Sequence, residues 1–241
     1  MTNDLVASYP VSRQPTRYAV IPTHNRPEHL GRLVSQLAPS CDYIVVMDNA
    51  SDPALDPVQL LEHALPAQPV IHVIRDEEQP PNLARLWNVA LAAVNAEELG
   101  KGSSSWDVAI LNDDAELPAG WYDHMATMLR SHDVLAVSGD AYGHVRQPIL
   151  RRDKHNDLMT RMCPWAFVIR GECGVEADEN LRWWWQDTDI EWRLALAGGV
   201  LVLPGFIAKN VGANSSTHGV LAEQAAKDRA TFAAKWTYNP W

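Results

Sequence analysis

The sequence predicts an α/β protein in which a mostly parallel, Rossmann-like sheet is flanked by helices in a single compact domain. Two observations lead to this prediction. Short apolar runs alternate with segments of helical spacing from residue 18 to residue 111, and this order is typical of parallel sheets. The chain has 241 residues, of which 46% are hydrophobic, and this length suits one domain with a large core.

The first half contains four predicted strands, each a short apolar run. They lie at residues 18–21, 43–47, 70–74 and 108–111. A helix is predicted at residues 27–37, where leucine and valine recur at helical spacing after a proline in the first turn. A proline-bounded helical segment precedes the third strand, and a longer helix is predicted at about residues 82–96. The expected order is β-α-β-α-β-α-β.

The second half is less regular. Helices are predicted at residues 120–129, 187–197 and 221–236, and extended segments at 134–138, 162–170 and 200–203. Residues 142–160 are predicted to form a long polar loop that contains Arg146, Arg151, Arg152 and Lys154. This loop is interpreted either as a solvated segment or as a lid that orders over bound substrate.

The composition excludes several classes of protein. There are 30 acidic and 20 basic residues, for a formal charge of −10, which argues against electrostatic capture of nucleic acid because that binding neutralises phosphates with Lys and Arg. The three cysteines lack metal-ligand spacing and favour a reducing, cytoplasmic location. No apolar run approaches the roughly 20 residues that span a bilayer, and the polar start is not a signal peptide. We therefore expect a cytoplasmic protein without a membrane span.

Polar side chains follow three of the predicted strands directly. They are Thr23, His24, Asn25 and Arg26 after the first strand, Asp48, Asn49, Ser51 and Asp52 after the second, and Asn112, Asp113 and Asp114 after the fourth. Because the carboxyl ends of parallel strands meet at one edge of a sheet, we expect these groups to lie side by side at a ligand site. The alternative is that they only cap helices and form turns.

The first strand is not followed by a glycine-rich phosphate loop. Its absence argues against a nicotinamide dehydrogenase and against a P-loop NTPase. An acidic protein can instead hold an anionic nucleotide through a divalent cation bound by carboxylates. Asp113 and Asp114 are the first candidate pair for this cation.

The chain has ten tryptophans but only three phenylalanines. Trp183, Trp184 and Trp185 are consecutive, and one face of a helix or strand cannot bury all three, so at least one is expected to meet solvent or a ligand. They precede Asp187 and Asp189 at a predicted helix start. An aromatic platform beside a carboxylate suits a hydroxylated, ring-shaped substrate. The alternative is that Asp187 or Thr188 caps the helix and that Asp189 is a surface charge of its first turn.

Five segments, in this order, resemble family 2 glycosyltransferases of the GT-A fold. They are YAVIPTHNRPEHLGRLVSQL, VVMDNASD, NLARLWNVAL, AILNDDAELPAGW and WWQDTDIEWRLALAGG. The resemblance runs from about residue 18 to residue 218, and its motifs are similar to those of rhamnosyltransferases and galactofuranosyltransferases. It implies one GT-A domain, with a nucleotide-binding half at about residues 1–115 and an acceptor-binding half at about 116–241.

The resemblance also implies roles for individual residues. Contacts with a nucleotide sugar are implied for Thr23, Asn25, Arg26, Asp48, Asn82, Arg85, Asn112 and Asp113. Asp114, the last residue of the DxD-like triplet, and His218 would hold Mn²⁺ or Mg²⁺, and Asp187 would be the catalytic base. The three tryptophans would form the acceptor side. We expect the carboxylates to converge on one cleft, namely Asp48, Asp113, Asp114, Asp187 and Asp189.

Two residues depart from the family pattern. Asn112 replaces the first acid of the DxD motif, and Gln186 replaces the glutamate that precedes the base. Neither departure removes a residue assigned to the metal or to the base, so we expect an active enzyme rather than an inactive scaffold.

The implied function is metal-dependent, inverting transfer of a sugar from a nucleotide-diphosphate sugar, with a UDP-sugar as first choice, to a hydroxyl of a glycan, glycolipid or protein. Two other classes stay as alternatives. A sugar nucleotidyltransferase normally carries a basic, glycine-rich loop after its first strand, and a non-catalytic sugar-binding module does not explain NDD and QDTD together. The acidic charge disfavours a nucleic acid acceptor. The donor sugar, the acceptor and the oligomeric state stay open.

Overall fold

An eight-stranded mixed sheet forms the centre of the computed structural model, which describes residues 14–155, 157, 159–212 and 219–237. The strands are β1 (Thr16–Thr23), β2 (Tyr43–Asn49), β3 (Val70–Asp76), β4 (Trp106–Leu111), β5 (Ala115–Glu116), β6 (Ala136–Gly139), β7 (Ile149–Arg151), β8 (Ala166–Arg170), β9 (Val200–Leu203) and β10 (Lys209–Asn210). The large sheet has the order β3-β2-β1-β4-β8-β6-β9-β7, and β5 pairs separately with β10.

Helices cover both faces of this sheet. They are α1 (Pro27–Leu37), α2 (Pro57–His63), α3 (Leu83–Gly100), α4 (Trp121–Ser131), α5 (Gln186–Ala197) and α6 (Gly219–Trp236). Side chains of β1 alternate between the faces: Ala19 and Ile21 pack in one core cluster with α1, α2 and α4, whereas Tyr18 and Val20 pack in another with α3 and α5. The predicted fold class, an α/β sheet flanked by helices, is confirmed.

The sheet is parallel in its first half and mixed in its second. Strands β3, β2, β1 and β4 pair in parallel, and so do β6 and β9. Strand β8 runs antiparallel between β4 and β6, and β7 runs antiparallel to β9 at the edge. The prediction of a continuous loop at residues 142–160 is therefore wrong at β7. A three-residue edge strand without apolar alternation leaves no pattern in the sequence.

Most predicted boundaries agree with the structure, and the differences have local causes. Helix α1 has the predicted bounds because its apolar stripe, from Leu30 to Leu37, is buried. The strand predicted at residues 162–170 is formed only by its last five residues, Ala166–Arg170. Asn82 lies before α3 as its N-cap and accepts a hydrogen bond from the Arg85 amide (3.2 Å). Within the described residues, no helix is both long and apolar enough to cross a bilayer.

Candidate functional site

A cavity of about 850 Å³ opens at the carboxyl ends of β1 and β4. Residues that follow both strands line it, together with the segment before α5 and the first turn of α6. Of the predicted site residues, the cavity brings together Thr23, Arg26, Asn112, Asp113, Asp114, Trp183, Trp184, Trp185 and Asp187. The ligand site expected at the sheet edge thus coincides with a cavity of the size that holds small ligands.

Asp113 and Asp114 form the acidic end of this cavity. The Thr23 hydroxyl donates to Asp113 Oδ2 (2.7 Å), and one nitrogen of the Arg26 guanidinium donates to both Asp113 Oδ1 (3.2 Å) and Asp114 Oδ2 (2.8 Å). Burial raises the pKa of Asp113 above its ordinary value, although Thr23 and Arg26 oppose this rise. The polar groups after β1 and β4 therefore contact one another directly, as expected for neighbouring strand ends.

The surroundings of Asp114 fit a cation. Its Oδ1 atom is buried and has no hydrogen-bond partner in the described part of the chain. A Cβ atom at Gly212 would lie 2.1 Å from Asp114 Oδ2, so only glycine permits this close approach of the loop. The described residues contain no cluster of three or more His, Cys, Asp or Glu that could hold a metal. The other predicted metal ligand, His218, lies outside the described residues.

Asp187 is the second residue of α5 and lies at the helix end where unpaired amides favour negative charge. Its side chain is largely buried and forms an ion pair with Arg161, which also lines the cavity. Arg161 was not among the predicted site residues, because it belongs to none of the motifs and lies between the predicted loop at residues 142–160 and the strand predicted at residues 162–170. Its charge in an apolar stretch was the only available signal.

The three tryptophans before α5 have different surroundings. Trp184 is 41% exposed, in agreement with the expectation that at least one of the three meets solvent. Trp185 is buried, and its ring centroid lies 4.8 Å from that of Phe232 on α6. Its φ is 71°, a left-handed conformation that is rare for a bulky residue. The acceptor role of the three indoles stays a prediction.

Three residues predicted to contact the nucleotide, namely Asn25, Asn82 and Arg85, have side chains that are bound elsewhere. The Asn25 side-chain oxygen accepts from the Asp52 amide (2.7 Å). Arg85 pairs with Asp76 and Glu78. Asn82 and Arg85 line a separate open cleft of about 540 Å³. Their predicted contacts with a nucleotide stay untested.

The expectation that all five carboxylates converge is wrong for Asp48 and Asp189. Asp189 is fully buried, so it is not a surface charge either; it pairs with Arg193 (2.8 Å) and Lys235 (2.8 Å). Asp48 is outside the described lining of the cavity and accepts from Arg75 (2.9 Å). Both carboxylates instead have local cationic partners.

Asp48 provides a pH-dependent prediction. Burial alone would raise its pKa, but hydrogen bonds from Ser51 and Leu55 and the charge of Arg75 together lower it below 3.8. The interaction therefore stabilises the fold above about pH 4 and is lost as the pH falls through the lowered value. Asp48→Asn is expected to reduce the free energy of unfolding by about 1–3 kcal/mol at pH 7, measured by urea denaturation. A difference that persists undiminished at the acid limit of folding contradicts this assignment.

The sequence profile described as "Glycosyl transferase family 2" matches residues 18–187, which is more than half of the chain. The chain belongs to this family. The match ends at Asp187, so it includes both the acidic pair after β4 and the start of α5. Comparison with curated protein sequences finds no match.

Solved structures similar to this family 2 chain include TarS of S. aureus. The structure of TarS 1-349 has a TM-score of 0.59 at 13% identity, with 80% of this chain and 59% of that chain covered. TarS 1-349 in complex with UDP-GlcNAc has a TM-score of 0.63 at 16% identity, with 91% and 66% covered. The chain thus spans about six-tenths of the length of these neighbours. At this identity the likeness establishes the shared GT-A fold.

Proposed function

We propose that the protein is a metal-dependent, inverting glycosyltransferase that moves a sugar from a nucleotide-diphosphate sugar to an acceptor hydroxyl. The observation that carries the proposal is that Asp187 lines the same cavity as Asp113 and Asp114. A base and an acidic pair on two different elements thus face one space. Family membership supports glycosyl transfer, and the UDP-GlcNAc complex of a structural neighbour supports a UDP-sugar as the donor.

The chemistry assigned to Asp187 is general base catalysis. Asp187 takes the proton of the acceptor hydroxyl as the acceptor oxygen forms a bond to the anomeric carbon. The bond from that carbon to the diphosphate oxygen breaks, and the nucleoside diphosphate leaves with the electron pair. A single displacement inverts the anomeric configuration. Arg161 contacts Oδ2 of Asp187, so we assign the proton to Oδ1.

The residues at the acidic end fit a divalent cation because Asp114 offers a buried carboxylate oxygen without a partner in the described residues. Asp114 would hold Mn²⁺ or Mg²⁺ together with His218, a ligand predicted from the resemblance alone. When bound, such a cation neutralises charge on the departing diphosphate. Arg26 already lies against both aspartates, and its guanidinium can bind the phosphate oxygens that the aspartates repel.

The two departures from the family pattern are compatible with this role. Gln186 donates from its side-chain amide to the Trp183 carbonyl (3.3 Å), and an ionised glutamate has no proton to donate there. Asn112 lines the cavity and keeps both donor and acceptor capacity towards a ribose hydroxyl. With Asn112 and Gln186 present, Asp113, Asp114 and Asp187 all keep their contacts.

Thermal stabilisation by nucleotides tests the proposal without knowledge of the acceptor. UDP with Mn²⁺ is expected to raise the melting temperature, since a ligand at 100 times its Kd stabilises the folded state by about 2.7 kcal/mol. UDP with EDTA is the matched control and is expected to have little effect. Stabilisation by a nucleoside triphosphate and a sugar 1-phosphate, but not by UDP, would favour the nucleotidyltransferase. Stabilisation by free sugars alone would favour the sugar-binding module.

A further inference from the structure

Helix α6 is attached to the domain by very few buried side chains. In its described residues only Asp228 and Phe232 are buried. Phe232 completes a small aromatic cluster with Trp185 and Trp192, separate from the two large core clusters. A helix held mainly by its hydrophobic stripe buries apolar residues at each turn. One of the two buried residues of α6 is instead a carboxylate.

The Asp228 carboxylate is fully buried and binds the backbone of the tryptophan segment. Its Oδ2 accepts from the amides of both Trp183 (2.7 Å) and Trp184 (2.9 Å), and its Oδ1 accepts from the Gln224 side chain (2.6 Å). A buried carboxylate is costly unless its oxygens are hydrogen-bonded. Here the bonds come from a segment more than forty residues away in the sequence.

The far end of α6 has its own attachment to the domain. Lys235 pairs with Asp178 (2.6 Å) and Asp189 (2.8 Å), and the Trp236 indole donates to Asp189 (2.8 Å). These contacts anchor the last turn of α6 without Asp228. The two Asp228 Oδ2 bonds, in contrast, join α6 to the backbone of the tryptophan segment.

We propose that Asp228 is a positioning residue for the acceptor side of the cavity. By holding two successive amides, it sets the turn from which the indoles of Trp183 and Trp184 enter the cavity, and it orients the start of α5 that carries Asp187. Trp185 lies between these groups in its left-handed conformation and packs on Phe232 of the same helix. Helix α6 thus helps to position the residues of the site. The acceptor part of this inference rests on the proposed function.

The first test measures the tryptophan turn itself. In protein labelled with 5-fluorotryptophan, the ¹⁹F resonances of Trp183 and Trp184 are assigned by single replacement with phenylalanine. Asp228→Ala is expected to shift these two resonances and to accelerate hydrogen exchange of the two amides at least about tenfold. Asp178→Asn, which removes another contact of α6, is the matched control and is expected to leave both unchanged.

Asp228→Asn keeps the shape of the side chain and provides a second variant if the alanine protein does not fold. An asparagine keeps one carbonyl oxygen that can accept from the two amides. The shift of the same two resonances is therefore expected to be smaller than in Asp228→Ala. UDP binding with Mn²⁺, measured by calorimetry, is expected to change by less than about threefold, because Asp113 and Asp114 lie on other elements.

Unchanged resonances and exchange in folded Asp228→Ala or Asp228→Asn would overturn the inference. So would equal changes in Asp178→Asn, because they would show a general effect of loosening α6. Failure of the unmodified protein to bind UDP would instead count against the proposed function and would leave the structural result intact.

Discussion

Asp187→Asn is expected to reduce sugar transfer by about 10²–10⁴-fold, the usual contribution of a general base. Asparagine keeps the size of the side chain but cannot take the acceptor proton. Because this loss concerns the transition state, affinity for UDP with Mn²⁺ is expected to stay within about threefold of the original value. The measurements are initial rates of UDP release from a UDP-sugar in the presence of acceptor, and calorimetry with UDP.

Arg161→Gln is the control that separates the base from its ion pair. Asp187→Asn also removes the pairing with Arg161, and the glutamine variant removes that pairing while the carboxylate stays. We expect Arg161→Gln to retain more activity than Asp187→Asn. Near-normal transfer by Asp187→Asn would show that Asp187 is not the base, and equal losses in both variants would assign the effect to the ion pair.

Asp114→Asn is expected to weaken binding of UDP with Mn²⁺ at least about tenfold, since under the proposed function a metal ligand would lose its charge and the cation would mediate the contact with the diphosphate. In the same variant, the difference between the affinity for UDP with Mn²⁺ and the affinity for UDP with EDTA is expected to become smaller. Calorimetric titration of UDP in both conditions measures the effect. The buried, partner-free Oδ1 of Asp114 within the described residues is the structural reason to choose this residue.

Glu116→Gln provides the matched control for Asp114→Asn. Glu116 lies two residues further along on β5, is only half-buried, and is outside the described lining of the cavity. The same loss of one carboxylate charge there is expected to leave UDP binding unchanged. If Asp114→Asn binds UDP as tightly as the original protein, and with the same dependence on Mn²⁺, the assignment of Asp114 to a metal is wrong.

The strands and helices of the first half could be predicted because β1, β2 and β4 are short continuous apolar runs and the apolar residues of α1 recur at helical spacing. In α1 every apolar residue of the predicted stripe is buried, and β4 is buried throughout. The mixed pairing of the second half could not be predicted in the same way. Strand β8 has the same apolar pattern whether it runs parallel or antiparallel, and β7 is too short to show a pattern.

The position of the candidate site at the sheet edge could be predicted from the sequence. The side chains that line it, and the partners they bind, could be predicted only in part. A polar residue at a strand end is placed at the sheet edge by the backbone, as Asp113 is. Which partner it binds depends on distant residues: Asp48 binds Arg75, and Asp187 binds Arg161. The contact of Asp228 with the tryptophan amides joins elements whose sequences contain no shared motif.

The pairing of β4 with β8 joins the two halves of the chain within one hydrogen-bonded ladder. Every residue of β4 is buried, and a fragment that ended near residue 115 would expose this apolar strand as an open edge. Exposed apolar edges promote association between chains. The first half of the chain is therefore not expected to fold as a portable module, and chimaeric proteins that exchange it between relatives must carry β8 along with β1–β4.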